Sequence, residues 1–423
     1  MIPIIAQPQK YHWGLKGLSS LVGQYVSTKQ EDGKEDIEST HYAELWMGTH
    51  PKSPSMVRIT EDLKPHLTEE FYQEKQGSLV ELDEVIKGNS NFINSRVEEM
   101  DTIKGSGSLP FLFKILSVDT SLSIQAHPHK ELAQELHEKY PDIYKDANHK
   151  PEMIIALTEY EALCSFSSGE DIWERICSNP ALVEFYKDLS VEDLKDSEKV
   201  KSVLSAIIKI TFESSAEVVT EVVAKLLTDI GEIQEQERTP HQKLALKLNT
   251  QYENDVGIIV CFLLNYIVLQ PGEALVLKPN EPHAYLHGEG LECMATSDNV
   301  VRGGLTPKLK HAEVLVDMLT YETGPIIPMS GDKDTPSQVI YNSGFDEFSV
   351  IKVSNKAGDE PTLFKVQDPG ILICIKGSGC IKSDSGEEYP VKKFDTLYCL
   401  PGKELAIQSE EGECDVYIAT LGN

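Results

Sequence analysis

The sequence predicts a mainly β chain carrying an α-helical subdomain, and three observations predict it. Short β-branched and aromatic runs broken by Gly and Pro fill the chain from Pro3 to about Phe166. A 3.6-residue apolar period replaces them between about Gly169 and Asn254, and strand-like runs then return to the end.

In chain order, Phe111 to Val118, Ser121 to Ala126 and Met153 to Leu157 read as strands. One helical interruption falls at Lys130 to Tyr140, where Leu132 and Leu136 lie a turn apart among charges. Val200, Val203, Leu204, Ile207 and Ile208 fall at i, i+3, i+4, i+7 and i+8, the spacing of an amphipathic helix. A second helix is expected from Ser214, with Glu217 three residues on completing a capping box and Val219, Val222, Val223, Leu226, Leu227 and Ile230 as its apolar face. Tyr266 to Leu269, Ala274 to Lys278 and Leu291 to Ala295 resume the β domain, parted by Gln270-Pro271-Gly272 and Pro279-Asn280 turns. From about Ser337, runs such as Ile371 to Ile375, Thr396 to Leu400 and Val416 to Leu421, punctuated by glycines and Pro401-Gly402, read as a second sandwich or barrel.

Composition removes several function classes. With 39 Lys and Arg against 68 Asp and Glu the net charge is -29, which excludes a nucleic-acid grip by bulk electrostatics. At 40% hydrophobic and 25% charged the chain is neither disordered nor fibrous. The longest apolar stretch, Val256 to Leu269, is broken by Asn265 and falls short of the ~20 residues a membrane span needs. The first ten residues lack a basic cap before an apolar core, and the tail Thr420-Leu421-Gly422-Asn423 has no lipidation or retention motif. The eight cysteines are scattered without a C-x-x-C spacing, so each reads as a small buried thiol in a reducing compartment, and the protein is placed in the cytoplasm.

Four segments could carry chemistry. In Ser123-Ile124-Gln125-Ala126-His127-Pro128-His129, an extended backbone would turn Gln125, His127 and His129 to one face able to hold a metal; the plain alternative is a surface strand with hydrogen-bonded imidazoles. Asn148-His149-Lys150-Pro151-Glu152 puts a carboxylate at the head of an apolar run, where it would point inward or simply pair with Lys150. Glu281-Pro282-His283-Ala284-Tyr285-Leu286-His287 follows a strand and a turn, and two imidazoles with one carboxylate would suit catalytic zinc or a non-haem iron. His283 lies 131 residues beyond Glu152, so spacing alone does not bring them together. Last, Arg302-Gly303-Gly304 followed by Lys308 reads as an anion-binding loop, or as a solvated Gly-rich turn.

Taken together these segments resemble the type I phosphomannose isomerases, zinc enzymes of the cupin class that interconvert mannose 6-phosphate and fructose 6-phosphate. The likeness spans the chain: Tyr11-His12-Trp13-Gly14, Ala43 to Pro51, Gln125-Ala126-His127-Pro128, Asn148 to Met153, Pro282-His283-Ala284-Tyr285 and Asn299 to Lys308 stand in the family's order. The resemblance implies two cupin-type jelly rolls plus a helical insertion: a catalytic cupin domain over 1–168 and 256–330, the helical subdomain over 169–255 and a C-terminal jelly roll over 331–423. It implies one Zn2+ per chain on Gln125, His127, Glu152 and His283, and it demotes His129 and His287. No His follows His311, so the last domain is expected to lack a metal.

By the same resemblance Arg302 is the active-site arginine, while Ser123, Lys114, Lys150, Tyr285, Glu292 and Lys308 line the sugar-phosphate pocket. The implied reaction moves a proton between C1 and C2 through a cis-enediol. Glu292 is the candidate base, with Lys150 or a water on the zinc as rivals, and Arg302 and Lys308 position the substrate. A monomer feeding mannose into GDP-mannose and glycosylation is the expected setting, with a small sugar phosphate as its only partner. Two alternatives stand beside it: a cupin-type iron oxygenase with two His and one carboxylate, and a non-catalytic sugar-phosphate-binding cupin.

Overall fold

The structure, a computed structural model, describes residues 1–29, 36–100, 103 and 108–422; Asn423, the end of the tail read above, lies outside them. Two antiparallel β units share one apolar core, and the helices of the insertion pack on the outer side of the first.

The first unit is organised by the strand His283–Ala295. Its first half pairs with Tyr160–Phe166 and meets Gln125, and its second half pairs with Phe111–Val118 and Glu152–Ala156. Between the halves stands Gly288 at φ 116°, where a Cβ would lie 2.4 Å from the Glu159 carbonyl oxygen, so only glycine allows this bend. Phe111–Val118 is buried throughout because both its faces are covered. Phe111, Phe113 and Ile115 join the core shared with the second unit, whereas Leu116 and Val118 belong to a separate apolar cluster on the other side. Strand alternation therefore puts Lys114 on that second side.

In the second unit the strands run Thr396–Cys399, Gly370–Ser383, Lys403–Thr420, Phe348–Lys356, Gln338–Phe345. Ile2–Pro3 pairs with Thr396–Cys399 in this sheet, so the first residues of the segment assigned above to the catalytic domain belong to the C-terminal sheet.

The helical reading holds with one correction. Val200–Glu213 and Ala216–Gly231 are helices that bury Leu204, Ile207, Ile208, Val219, Val223, Leu226 and Ile230. The cap of the second is Ser215, whose side chain accepts from Val218 N–H. Ser214 instead ends the preceding helix, its hydroxyl donating to the Ile210 carbonyl at 2.7 Å, and is thereby unavailable to start the next.

Extension of the Gln125 strand to His129 is also corrected. The strand ends at Ala126, and His129 caps the helix Lys130–Lys139 by accepting from Leu132 N–H. Among the cysteines two depart from the buried reading: Cys177 is exposed where it closes the helix Gly169–Cys177, and Cys380 is only half-buried. No helix among the described residues is long and apolar enough to cross a membrane.

Candidate metal centre and anion loop

Cross-strand register builds the site in two rows. Trp46, Lys114 and Glu292 stand opposite one another on three neighbouring strands, and Arg302, Gln125 and His283 do so on three others. Residues opposite each other in register share a face, with strands about 4.8 Å apart. Glu292 and His283 lie on the two halves of the bent strand, which joins the rows.

Between them His127, Glu152 and His283 offer ligand atoms that all lie within 4.8 Å of one another, each side chain fully buried. His127 Nε2 is 3.2 Å from Glu152 Oε1, and His283 Nε2 is 3.6 Å from Glu152 Oε2. Outer partners set the tautomers. His127 Nδ1 contacts the Asn299 carbonyl at 2.6 Å and His283 Nδ1 the Glu281 carbonyl at 3.1 Å, so each Nδ1–H donates outward and each Nε2 keeps its lone pair for the centre. Burial first, and then the charge of Lys150, lowers the His127 pKa to about 4, so its imidazole is neutral near pH 7.

Do these residues fit a divalent cation? Glu152 Oε2 and His283 Nε2 are buried without a hydrogen-bond partner. Buried polar atoms rarely go unsatisfied, and a cation between them would satisfy both. Two imidazoles and one carboxylate are the donor set of a catalytic zinc site. Burial would raise the Glu152 carboxyl, but the Lys150 ammonium holds it well below the usual carboxylate range, so it is an anion.

Gln125 adjoins this group, its amide nitrogen 3.5 Å from His127 Nε2 and its oxygen accepting from Ser123 Oγ at 2.9 Å. A half-turn of the amide offers the oxygen to the centre and leaves Nε2 to donate to Ser123, with the same heavy-atom positions.

The remaining expected residues divide by how their charge is answered. The Lys114 ammonium lies 2.8 Å from Glu292 and 3.6 Å from Glu44. Burial would lower its pKa, yet these two carboxylates hold it above the ordinary lysine value. Burial raises the Glu292 carboxyl, with Lys114 opposing. Lys150 donates to Glu152 Oε1.

Arg302 and Lys308, in contrast, have no acidic partner within ion-pair distance among the described residues. Burial lowers both pKa values, and Lys308 is lowered further by the charge of Arg302. They are the cations left over for an anion. Tyr285 is buried with its hydroxyl unpartnered, edge-on to Tyr160, whose hydroxyl is also unpartnered. His129 is largely exposed beside Glu131, and His287 lies farther along the strand from His283, opposite Glu161.

Three contributors escaped the reading of isolated residues. Glu44 accepts from the Trp46 indole and faces Lys114. Tyr160 opens its strand between Glu159 and Glu161, a setting that reads as solvent-facing. Asp146 accepts from Ser297 Oγ and Asp298 N–H at 2.8 Å each, and its backbone carbonyl accepts from Asn299 Nδ2 at 2.7 Å, which fixes the carbonyl that orients His127. Only Glu44 had a signal, an acidic residue alternating with apolar ones in Ala43 to Met47.

A buried two-histidine, one-carboxylate centre beside a pair of unanswered cations, all on one β sandwich, defines a metal-site protein built for a small anionic ligand. Residues 1–168 match the phosphomannose isomerase type I catalytic domain and residues 181–264 that family's helical insertion domain. The chain belongs to the type I phosphomannose isomerase family. It is 36% identical over 432 residues to the mannose-6-phosphate isomerase of Cryptococcus neoformans, covering 95% of this chain and 94% of that one. To mannose-6-phosphate isomerase 1 of Arabidopsis thaliana it is 37% identical over 407 residues, covering 94% and 89%. A solved mannose 6-phosphate isomerase with zinc bound superposes with a TM-score of 0.79 at 25% identity over 100% of this chain and 99% of that one.

Proposed function

We propose that this chain is a zinc-dependent aldose–ketose isomerase that interconverts mannose 6-phosphate and fructose 6-phosphate. The observation that carries the proposal is the convergence of His127, Glu152 and His283, far apart in sequence, on one buried point beside Arg302. His127, Glu152 and His283, with Gln125 as fourth, hold the zinc. When bound, the ion supplies Lewis acidity that stabilises negative charge developing on the sugar oxygens by several kcal/mol.

The chain's own residues do the rest. Glu292 takes the proton from C2 and returns one to C1 through a cis-enediol; its burial favours proton uptake, and Lys114 fixes its carboxylate in place. Lys150 keeps Glu152 ionised. Arg302 orients the reacting oxygens or the phosphate, Lys308 binds the phosphate, and Ser123 and Tyr285 contact the sugar. The setting is a cytoplasmic monomer whose product enters GDP-mannose synthesis and glycosylation.

The test is a coupled assay of mannose 6-phosphate isomerisation with and without chelator, followed by zinc. Activity lost to chelator and regained with zinc is expected. Full activity in metal-free protein would sink the proposal, and restoration by iron under oxygen alone would favour an oxygenase.

A further inference from the structure

The strand Val301–Gly304, which bears Arg302, and the loop after it, which bears Lys308, are gripped from behind by one side chain. Asp255 lies at the exit of the helical insertion, between the helices Pro240–Gln251 and Gly257–Val260. Its Oδ1 accepts Gly257 N–H at 2.7 Å and Leu305 N–H at 2.6 Å, and its Oδ2 receives the Lys310 ammonium at 2.8 Å. The carboxylate thus touches the loop on both sides of Lys308. At the base of the loop His311 N–H donates to the Arg302 carbonyl at 3.2 Å.

The local backbone requires such a grip. Leu305 adopts φ 52°, a left-handed conformation that is strained for any residue other than glycine, and its side chain is buried. Its N–H is the one Asp255 accepts. Gly304 lets the two backbones touch, since a Cβ there would stand 2.8 Å from Gly257 Cα.

We infer that Asp255 is a positioning residue for the isomerisation: through Leu305 and Lys310 it sets where Arg302 and Lys308 stand relative to the metal group, and so how tightly the phosphate end is held. This inference rests on the reading of the site given above. Asp255 contacts none of the metal-group residues in its own hydrogen bonds, so its removal acts on anion affinity rather than on zinc.

Full-length zinc enzyme carrying Asp255→Ala, Asp255→Asn or Lys310→Ala is compared with wild type for KM of mannose 6-phosphate, kcat, affinity for inorganic phosphate by calorimetry, zinc content and Tm. Asp255→Ala is expected to weaken KM and phosphate affinity about tenfold with zinc unchanged. Asp255→Asn, which keeps an oxygen for both N–H groups, stays within about threefold, as does Lys310→Ala, whose ammonium is partly in solvent. Unchanged KM and phosphate affinity in Asp255→Ala overturn the inference, as does a loss of activity that tracks lost zinc or falls on kcat alone. Should Asp255→Ala not fold, Gly304→Ala, whose Cβ lifts the loop off the Asp255 turn, must show the same weakening, and wild-type values there overturn the inference. A wild-type chain that binds phosphate but does not isomerise overturns the reading of the reaction instead, and the Asp255 comparison is then decided on phosphate affinity.

Discussion

The two β units are made from the same antiparallel pleat, yet they fill their interiors differently. Away from the shared core, the first buries Glu44, Lys114, Glu152, Glu292, His127 and His283. The second encloses Val366, Leu372, Ile381, Ile407, Val416 and Ile418 in an apolar cluster. Burying a charge is costly unless it is paired, and in the first unit nearly every charge has its counter-charge within 4 Å. The atoms left over are Glu152 Oε2 and His283 Nε2, where a cation belongs. A jelly-roll interior is thus neutral ground: stability asks only that it be full, and function decides whether it is filled with methyls or with a balanced set of charges.

That contrast can be broken at four points. His283→Ala should lower bound zinc and turnover together, the latter by at least about 100-fold; full turnover would remove His283 from the metal group. Arg302→Ala should cost about 10²- to 10³-fold in turnover with zinc and Tm nearly unchanged, and a zinc-free or unfolded product would mark the arginine as structural. In the second unit Ile381→Ala should cost about 2–5 kcal/mol in urea unfolding while kcat per folded molecule holds; a fall in kcat would mean that the apolar unit shapes the site.

The smallest effect is in the helical insertion. There burial, followed by the charge of Arg175, lowers the His241 pKa to about 4, with Nε2 3.0 Å from the Leu264 carbonyl. The folded state resists the proton that the unfolded chain accepts near pH 6.5. Stability from this residue is therefore complete above that pH and lost as pH falls toward 4, about 2 kcal/mol by pH 5. His241→Gln should flatten that part of the urea-midpoint against pH curve, and an unaltered slope would place the acid sensitivity elsewhere.

Much of this was legible before any coordinates. Apolar period located both long helices, and the family resemblance carried by the Gln-x-His, Pro-Glu and Pro-His motifs pointed to His127, Glu152 and His283, the three residues that the fold brings together. What sequence withheld was convergence: nothing in the 130 residues between Glu152 and His283 says that their strands pair side by side in one sheet. Backbone partners were hidden for the same reason, since the Asn299 carbonyl that orients His127 would be there in any residue, and only the Asp146 network makes it available. The misplaced cap at Ser214 has a smaller cause: either of two successive serines can cap, only Ser214 has a Glu three residues on, and the end of the previous helix nevertheless leaves the cap to Ser215.

The bend at Gly288 has one more implication. Because a single strand delivers His283 before the bend and Glu292 after it, the separation between these two side chains depends on the dihedral angles at Gly288 rather than on the docking of separate segments. A Cβ at that hinge would collide with the Glu159 carbonyl oxygen and shift His283 and Glu292 relative to each other, so a single added methyl rearranges the site without changing any side chain in it.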